Sequence, residues 1–337
     1  MPQHSIAFST LAQQDDLSLS NHLNLNTWYD FDHASLVADA PGSLTYVVIF
    51  SFQLGMHVAN FAQQLEQWGG ELVGVVRYEA HADLPPAFAF AISNADAQLN
   101  DQVKAYSAEN GVQCAALVNP PKLSQAGLLV MDMDSTAITI ECIDEIARLG
   151  GVYDEVAAVT AQAMAGQLDF SESLRQRVAK LVGIKLDLVD DLKSQLPLMP
   201  GVEQLCAVLR ENNWHLAIAS GGFIPFAKQV QSVLNLDKIH ANQLDDNGAA
   251  LVGTVSGQIV DAQEKARFLA QYREQLQLPK SQTMAIGDGA NDLLMMQEAG
   301  LGVAVHGKEK VVAQAPAAIT AGSLAQLLYF LTIPLRD

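Results

Sequence analysis

Ten residues, GLLVMDMDST (127–136), set two aspartates and two hydroxyls at the end of an apolar run. Leu128 to Met131 read as a strand buried on both faces. Asp132 and Asp134 lie two apart, so extended backbone would turn both to one side, although a bend at the strand end can redirect either. Two further apolar runs close in small polar groups: ASGG from 219, with Ser220 and Gly221, and GDGAND from 287, with Asp288, Asn291 and Asp292. QEKARF adds an isolated Lys265 at a helix start. Ligands of an open parallel sheet bind beyond the carboxyl ends of its strands, so these groups are expected to converge. Four crowded carboxylates repel, since two unit charges about 4 Å apart cost about 4 kcal/mol at an effective dielectric near 20. A divalent cation relieves that, and oxygen donors without histidine or cysteine favour Mg²⁺. Ser220 with the Gly221 and Gly222 amides offers an anion corner, and Lys265 a point charge for phosphate. A nucleophilic carboxylate, a cation, a hydroxyl, a lysine and a second acid together point to phosphoryl transfer through an aspartyl-phosphate.

The elements that must position these groups follow from the alternation of runs. GLLVMD, WHLAIAS, QTMAIGD and GVAV read as strands separated by helices, which implies a parallel sheet covered on both faces. Between the first two, about 140–195, every segment reads as helix, and such a block is expected to form an inserted cap. VNPPKLSQ (118–125) reads as a linker. Ahead of it, runs from 43 to 120 follow the order βαββαβ of a ferredoxin-like α+β domain. Val58, Phe61, Leu65 and Trp68 share one face of its first helix and are expected in its core. Residues 1–42 are polar and acidic without periodicity and read as a lead segment of unknown structure.

The chain has 337 residues, enough for two or three domains, and half of them are hydrophobic. Its net charge of −18 argues against nucleic acid and against adhesion to anionic membrane. Cys114, Cys142 and Cys206 lack metal-ligand spacing and fit reduced, buried thiols. The first Lys or Arg is Arg77, and LLYFLTIPL (327–335) is too short to span a bilayer, so a cytoplasmic location is expected.

DMDSTAITIECIDEIA, FSESLRQRV, SGGF, EKA and GDGANDLLM occur in one order over roughly 126–331. On these motifs the chain resembles the haloacid dehalogenase (HAD) superfamily of phosphatases, and within it the phosphoserine phosphatase family. The resemblance implies a HAD-type Rossmann-like α/β fold over 126–337 with a helical cap after the first strand. It also implies hydrolysis of a small-molecule substrate, O-phosphoserine, as the last step of serine biosynthesis. Asp132 would be the nucleophile and Asp134 the general acid and then base. Mg²⁺ would be held by the Asp132 carboxylate, the Asp134 backbone carbonyl and Asp288. Ser220, Gly221 and Lys265 would hold the phosphoryl group, Glu141 and Arg177 the substrate ammonium and carboxylate, and Asn291 a further substrate contact. Asp292 would be a supporting acid. The leading domain resembles ACT-like regulatory domains in pattern only. Its loop SFQLGMH has Gly55 but no Asp-x-Pro-Gly, which leaves effector binding, a structural role and a homodimer through this domain all open.

Ordinary readings stand beside these. Glu141 and Arg177 fit solvated helix charges, and Arg175 competes with Arg177 for any role. Asp144 and Glu145 read as surface or helix-stabilising residues. His57, His215 and His306 read as core or edge positions, and Trp28, Trp68 and Trp214 as packing. A P-type ATPase needs membrane spans and a lysine-threonine pair where this chain has Met133 and Asp134. A non-catalytic amino-acid sensor would release no phosphate, and a HAD phosphatase for another small metabolite would ignore phosphoserine.

Overall fold

The computed structural model describes residues 5–6, 23–31, 44–50, 57–69 and 71–334. The leading sheet is built from β1 (Ser5–Ile6), β2 (Thr27–Phe31), β3 (Thr45–Phe50), β4 (Glu71–Tyr78), β5 (Ala87–Ser93) and β6 (Gln113–Val118). Helices α1 (His57–Gln67) and α2 (Leu99–Asn110) interrupt it. The six strands run in the order β1-β2-β4-β5-β3-β6, and the four from β3 onward pair antiparallel in the ferredoxin-like arrangement. β2 falls inside the segment read as a lead of unknown structure; it pairs antiparallel with β4, Trp28 opposite Val76. The loop with Gly55 lies outside the described residues.

Side chains of these strands alternate between two apolar layers. Val47, Ile49, Val75, Phe88 and Phe90 face α1 and α2, meeting Val58, Phe61, Leu65, Val103 and Tyr106. Tyr46, Val48, Phe50, Val76 and Tyr78 point the other way, into the cluster that holds Tyr329, Phe330 and Leu331. Phe50 stacks on Tyr329 with ring centroids 4.4 Å apart, and the Tyr78 hydroxyl donates to the Tyr329 carbonyl at 2.7 Å. A sheet buried on both faces explains why its strands read as unbroken apolar runs.

The second unit begins with β7 (Leu128–Met131), followed by four cap helices, α3 (Cys142–Leu149), α4 (Tyr153–Met164), α5 (Phe170–Ala179) and α6 (Leu186–Ser194). After them come α7 (Val202–Glu211), β8 (His215–Phe223), α8 (Ile224–Leu234), β9 (Lys238–Asp246), β10 (Leu251–Ser256) and α9 (Ala262–Gln275). The chain ends in β11 (Thr283–Gly287), α10 (Leu293–Glu298), β12 (Leu301–Val305), α11 (Glu309–Gln314), β13 (Ala317–Ile319) and α12 (Leu328–Leu331). The seven strands order as β10-β9-β8-β7-β11-β12-β13, with only β10 antiparallel to its neighbour. Leu128, Val130, Ala217 and Ala285 face Phe268 and Leu269 of α9, while Leu129, Met131, Ile218 and Ile286 face Leu205 of α7 and Phe226 of α8.

Two local devices fix the cap. Asp169 and Glu172 form a reciprocal capping box that starts α5 at Phe170. The loop before α6 pairs with the β9–β10 hairpin: Gly183 N donates to Leu251 O at 2.8 Å, and Leu251 N donates to Ile184 O at 2.9 Å. That hairpin turns at Asn247-Gly248, a dipeptide that favours tight reversals. No helix among the described residues is long and apolar enough to cross a membrane.

Candidate active site

β7 and β11 are central neighbours, with Met131 opposite Ile286, so the residues that follow each strand emerge side by side. Asp132 N still donates to Ile286 O at 3.0 Å, and the chain then curls. The Met133 carbonyl accepts from the amides of Ala137 and Ile138 at 2.8 and 3.0 Å, and Ser135 takes a positive φ of 54°. This curl settles the question of which way the two aspartates point. Asp132 stays among the strand ends, where its Oδ1 accepts from Met133 N at 2.7 Å. Asp134 turns toward the cap, where its Oδ1 accepts from Cys142 N at 3.2 Å.

Beneath Asp132 lies Lys265, fully buried on α9. Its ammonium is 2.9 Å from Asp132 Oδ2 and 2.7 Å from Asp292 Oδ1. Burial pulls the pKa of that ammonium down, but the two carboxylates more than offset the penalty and hold it charged. The other oxygen of Asp292 accepts from Gly289 N at 3.0 Å, so Asp292 is occupied by protein donors on both sides. Asp288 leaves β11 toward the cleft and accepts from Thr136 Oγ1 at 3.0 Å.

Carboxylate oxygens of Asp132, Asp288 and Asp292 lie within 4.8 Å of one another. Asp132 and Asp288 line the cleft whereas Asp292 is fully buried behind it, so the carboxylates a cation in the cleft can reach are those of Asp132 and Asp288. This donor set is all oxygen and suits a hard divalent ion. Burial, then the Asp132 charge, raises the Asp288 carboxyl, a repulsion that a cation would remove.

A cleft of about 440 Å³ opens between the strand ends and the cap. Asp132, Asp134, Glu141, Arg177, Ser220, Gly221, Asp288 and Asn291 all line it, with Lys265 behind its floor. Ser220 Oγ accepts from Gly222 N at 2.9 Å, and Asn242 fixes the turn by donating to Gly221 O at 2.8 Å. A Cβ added at Gly221 would sit 2.8 Å from the tip of the Phe170 ring that descends from the cap, so a side chain there would displace that ring.

Electrostatics divide the cleft. Burial, helped by the Glu141 charge, pushes the Asp134 carboxyl up to about 8, so it carries a proton at neutral pH. Burial also raises Glu141, against the Ser135 hydroxyl that donates to it at 2.7 Å. Burial lowers Arg177, opposed by the charges of Asp144, Glu141 and Asp134. Arg177 Nε is buried with no hydrogen-bond partner, whereas Arg175 faces solvent. The cap therefore presents a carboxyl and a guanidinium to the same cavity whose floor holds the aspartates.

Several participants were not singled out from sequence. Thr136 and Ser135 belong to the quoted DMDST run, yet only the curl reveals their partners, Asp288 and Glu141. Phe170 and Met164 form the cap wall of the cleft. Asp144, read as a surface or helix-stabilising charge, is the carboxylate that acts most strongly on Arg177. His215 lies 3.7 Å from Asp237, His306 bonds the Gly322 carbonyl, and neither lines the cleft. The side chain of His57 lies outside the described residues.

Residues 127–300 match the model of the haloacid dehalogenase-like hydrolases. A phosphoserine phosphatase of Haemophilus influenzae is 49% identical over 221 residues, covering 66% of this chain and 70% of that protein. The crystal structure of a probable phosphoserine phosphatase from Vibrio cholerae superposes with a TM-score of 0.71 at 34% identity, over 94% of this chain and 93% of that one. A substrate-bound phosphoserine phosphatase complex matches with a TM-score of 0.58 at 32% identity, over 62% of this chain and 99% of that one. The chain belongs to the haloacid dehalogenase-like hydrolases, and within them to the phosphoserine phosphatase family.

Proposed function

We propose that this chain hydrolyses O-phosphoserine to serine and inorganic phosphate. The observation that carries the reading is the shared cleft: Glu141 and Arg177 face, from the cap, the same cavity that Asp132, Ser220 and Asp288 line from the core. A phosphate monoester with an ammonium and a carboxylate on its neighbouring carbon matches that layout. Arginine suits the carboxylate because its planar fork can meet both oxygens, and Arg177 Nε lacks any partner within the protein.

In the proposed reaction an oxygen of Asp132 attacks phosphorus, the bond from phosphorus to the serine oxygen breaks, and the Asp134 proton passes to that oxygen. Asp134, now a carboxylate, takes a proton from water as the water oxygen attacks the aspartyl-phosphate. The bond from phosphorus to Asp132 breaks and phosphate leaves. Ser220, Lys265 and the Gly221 backbone hold the phosphoryl oxygens, Lys265 also fixes Asp132 in place, and Asn291 contacts the substrate. Mg²⁺ would be held by the Asp132 carboxylate, the Asp134 carbonyl and Asp288, and when bound it screens the charge between nucleophile and phosphate.

Phosphate release from phosphoserine, phosphothreonine, sugar phosphates and p-nitrophenyl phosphate, each with and without Mg²⁺, tests the proposal. Selective, Mg²⁺-dependent turnover of phosphoserine supports it. Faster turnover of a sugar phosphate would reassign the substrate, and no release from any ester would leave a sensor.

A further inference from the structure

The leading domain grips the catalytic unit near the loop that carries Asp288. Gln113, at the start of β6, is buried and spans the junction with both ends of its amide engaged. Its Nε2 donates to Thr320 Oγ1 at 2.9 Å, and its Oε1 accepts from Thr320 N at 2.9 Å. Thr320 directly follows β13. One residue earlier, the Ile319 carbonyl accepts from His306 N at 2.8 Å, which ties the end of β12 to the end of β13. The next residue, Gly307, passes so close to Asp288 that an added Cβ would lie 3.1 Å from its carbonyl oxygen. A short run of contacts thus leads from Gln113 through Thr320, Ile319, His306 and Gly307 to the backbone of Asp288. Lys104 of α2 grips the same unit from its other end, donating to the carbonyls of Ala313 and Ala315 at 3.1 and 2.6 Å. Those carbonyls close α11, the helix that starts just after Gly307.

We propose that Gln113 and Lys104 are positioning residues for Asp288, through which the leading domain sets the affinity of the active site for its divalent cation. The proposal rests on the reading of Asp288 as a metal ligand. Both grips hold the β12–α11–β13 unit, and the loop after β12 abuts the backbone of Asp288 at Gly307. Loosening them lets the carboxylate wander from the position shared with Asp132. Metal binding weakens, whereas the cap residues that recognise substrate are untouched.

The test measures Mg²⁺ binding to the full chain by titration calorimetry in Gln113→Ala, Gln113→Glu and Tyr78→Phe. Tyr78→Phe removes a contact between the same two units at Tyr329, away from this loop, and controls for a general loosening of the junction. Partners bonded directly to metal ligands typically carry at least about tenfold in metal affinity. Gln113 acts at a greater remove, so Gln113→Ala is expected to weaken Mg²⁺ binding roughly three- to tenfold. The KM for phosphoserine at saturating Mg²⁺ should stay unchanged. Gln113→Glu, which can accept from both Thr320 groups, should recover most of the loss, and Tyr78→Phe should bind Mg²⁺ as the wild type does. Equal Mg²⁺ affinity in Gln113→Ala and wild type, or an equal loss in Tyr78→Phe, would overturn the proposal. Should Gln113→Ala not fold, Thr320→Ala probes the contact from its exposed side by the same criteria. A wild-type chain that binds no divalent cation would overturn the ligand reading of Asp288 and the inference with it.

Discussion

Replacing Lys265 by methionine keeps an unbranched chain one atom shorter and deletes its charge from between two buried carboxylates. The ammonium sits 2.9 Å from Asp132 and 2.7 Å from Asp292. Without it, the two carboxylates face each other with oxygens no more than 4.8 Å apart. At an effective dielectric near 20 that repulsion is about 3 kcal/mol. Removing one partner of a buried ion pair costs a comparable 3–5 kcal/mol, roughly, in measured cases. Proton uptake limits the damage. Asp292 is pushed up to about 7, first by burial and then by Asp132, with Lys265 opposing, so the substitution raises it further.

A carboxyl raised on folding binds a proton that the unfolded chain has already lost, so stability falls as pH rises between the unfolded and folded values. In the wild type that window runs from 3.8 to about 7 for Asp292. In Lys265→Met its upper edge moves higher. With divalent cations chelated, urea denaturation should show Lys265→Met about 3 kcal/mol less stable near pH 8 and closer to wild type near pH 6. Lys265→Met with Asp292→Asn removes one of the stranded charges and should recover at least half the loss. A deficit independent of pH, or a double variant as unstable as the single one, would refute the electrostatic account of this lysine.

Asp134→Asn should slow turnover roughly 10²–10⁴-fold while leaving Mg²⁺ affinity near wild type, since the proposed ligand there is a backbone carbonyl. Because the Asp134 carboxyl loses its proton near pH 8, serine expulsion in wild type should slow as pH rises through that value, read by rapid-quench phosphoenzyme formation. Glu141→Gln and Arg177→Ala should each cut kcat/KM for phosphoserine at least about tenfold and spare p-nitrophenyl phosphate, as expected when one member of a desolvated charge pair is lost. Deleting residues 1–120 bares the Tyr329 and Phe330 surface that Phe50 covers. The remaining unit should aggregate or melt well below the full chain in calorimetry, and an equally stable fragment would contradict the shared core.

The core chemistry was legible because Asp132, Ser220 and Asp288 lie at or just past the ends of apolar strands, and the sheet order brings those ends together. Asp132, Ser220 and Asp288 needed only the inference that their strands are parallel. The direction of Asp134 was not legible, since it depends on the curl at Ser135, whose positive φ no residue type announces. The leading sheet was readable from Thr45 onward, where alternation served two apolar layers. β2 escaped because TWYDF mixes acidic and aromatic residues within a polar stretch, and its partner β4 lies far along the chain. The β9–β10 hairpin carries a local signal in its Asn247-Gly248 turn. The junction between the two units was out of reach, since Phe50, Tyr78 and Gln113 meet Tyr329 and Thr320 only through tertiary packing.

The central claim is that the phosphoryl group of phosphoserine passes to Asp132. Acid quenching of the Asp134→Asn protein during turnover of phosphoserine, followed by mass spectrometry of its peptides, reads that step directly. The account predicts an acid-stable, hydroxylamine-sensitive phosphate on the peptide containing Asp132, absent from Asp132→Asn. Phosphate on another residue, or phosphoserine hydrolysis by a folded Asp132→Asn protein, would contradict it.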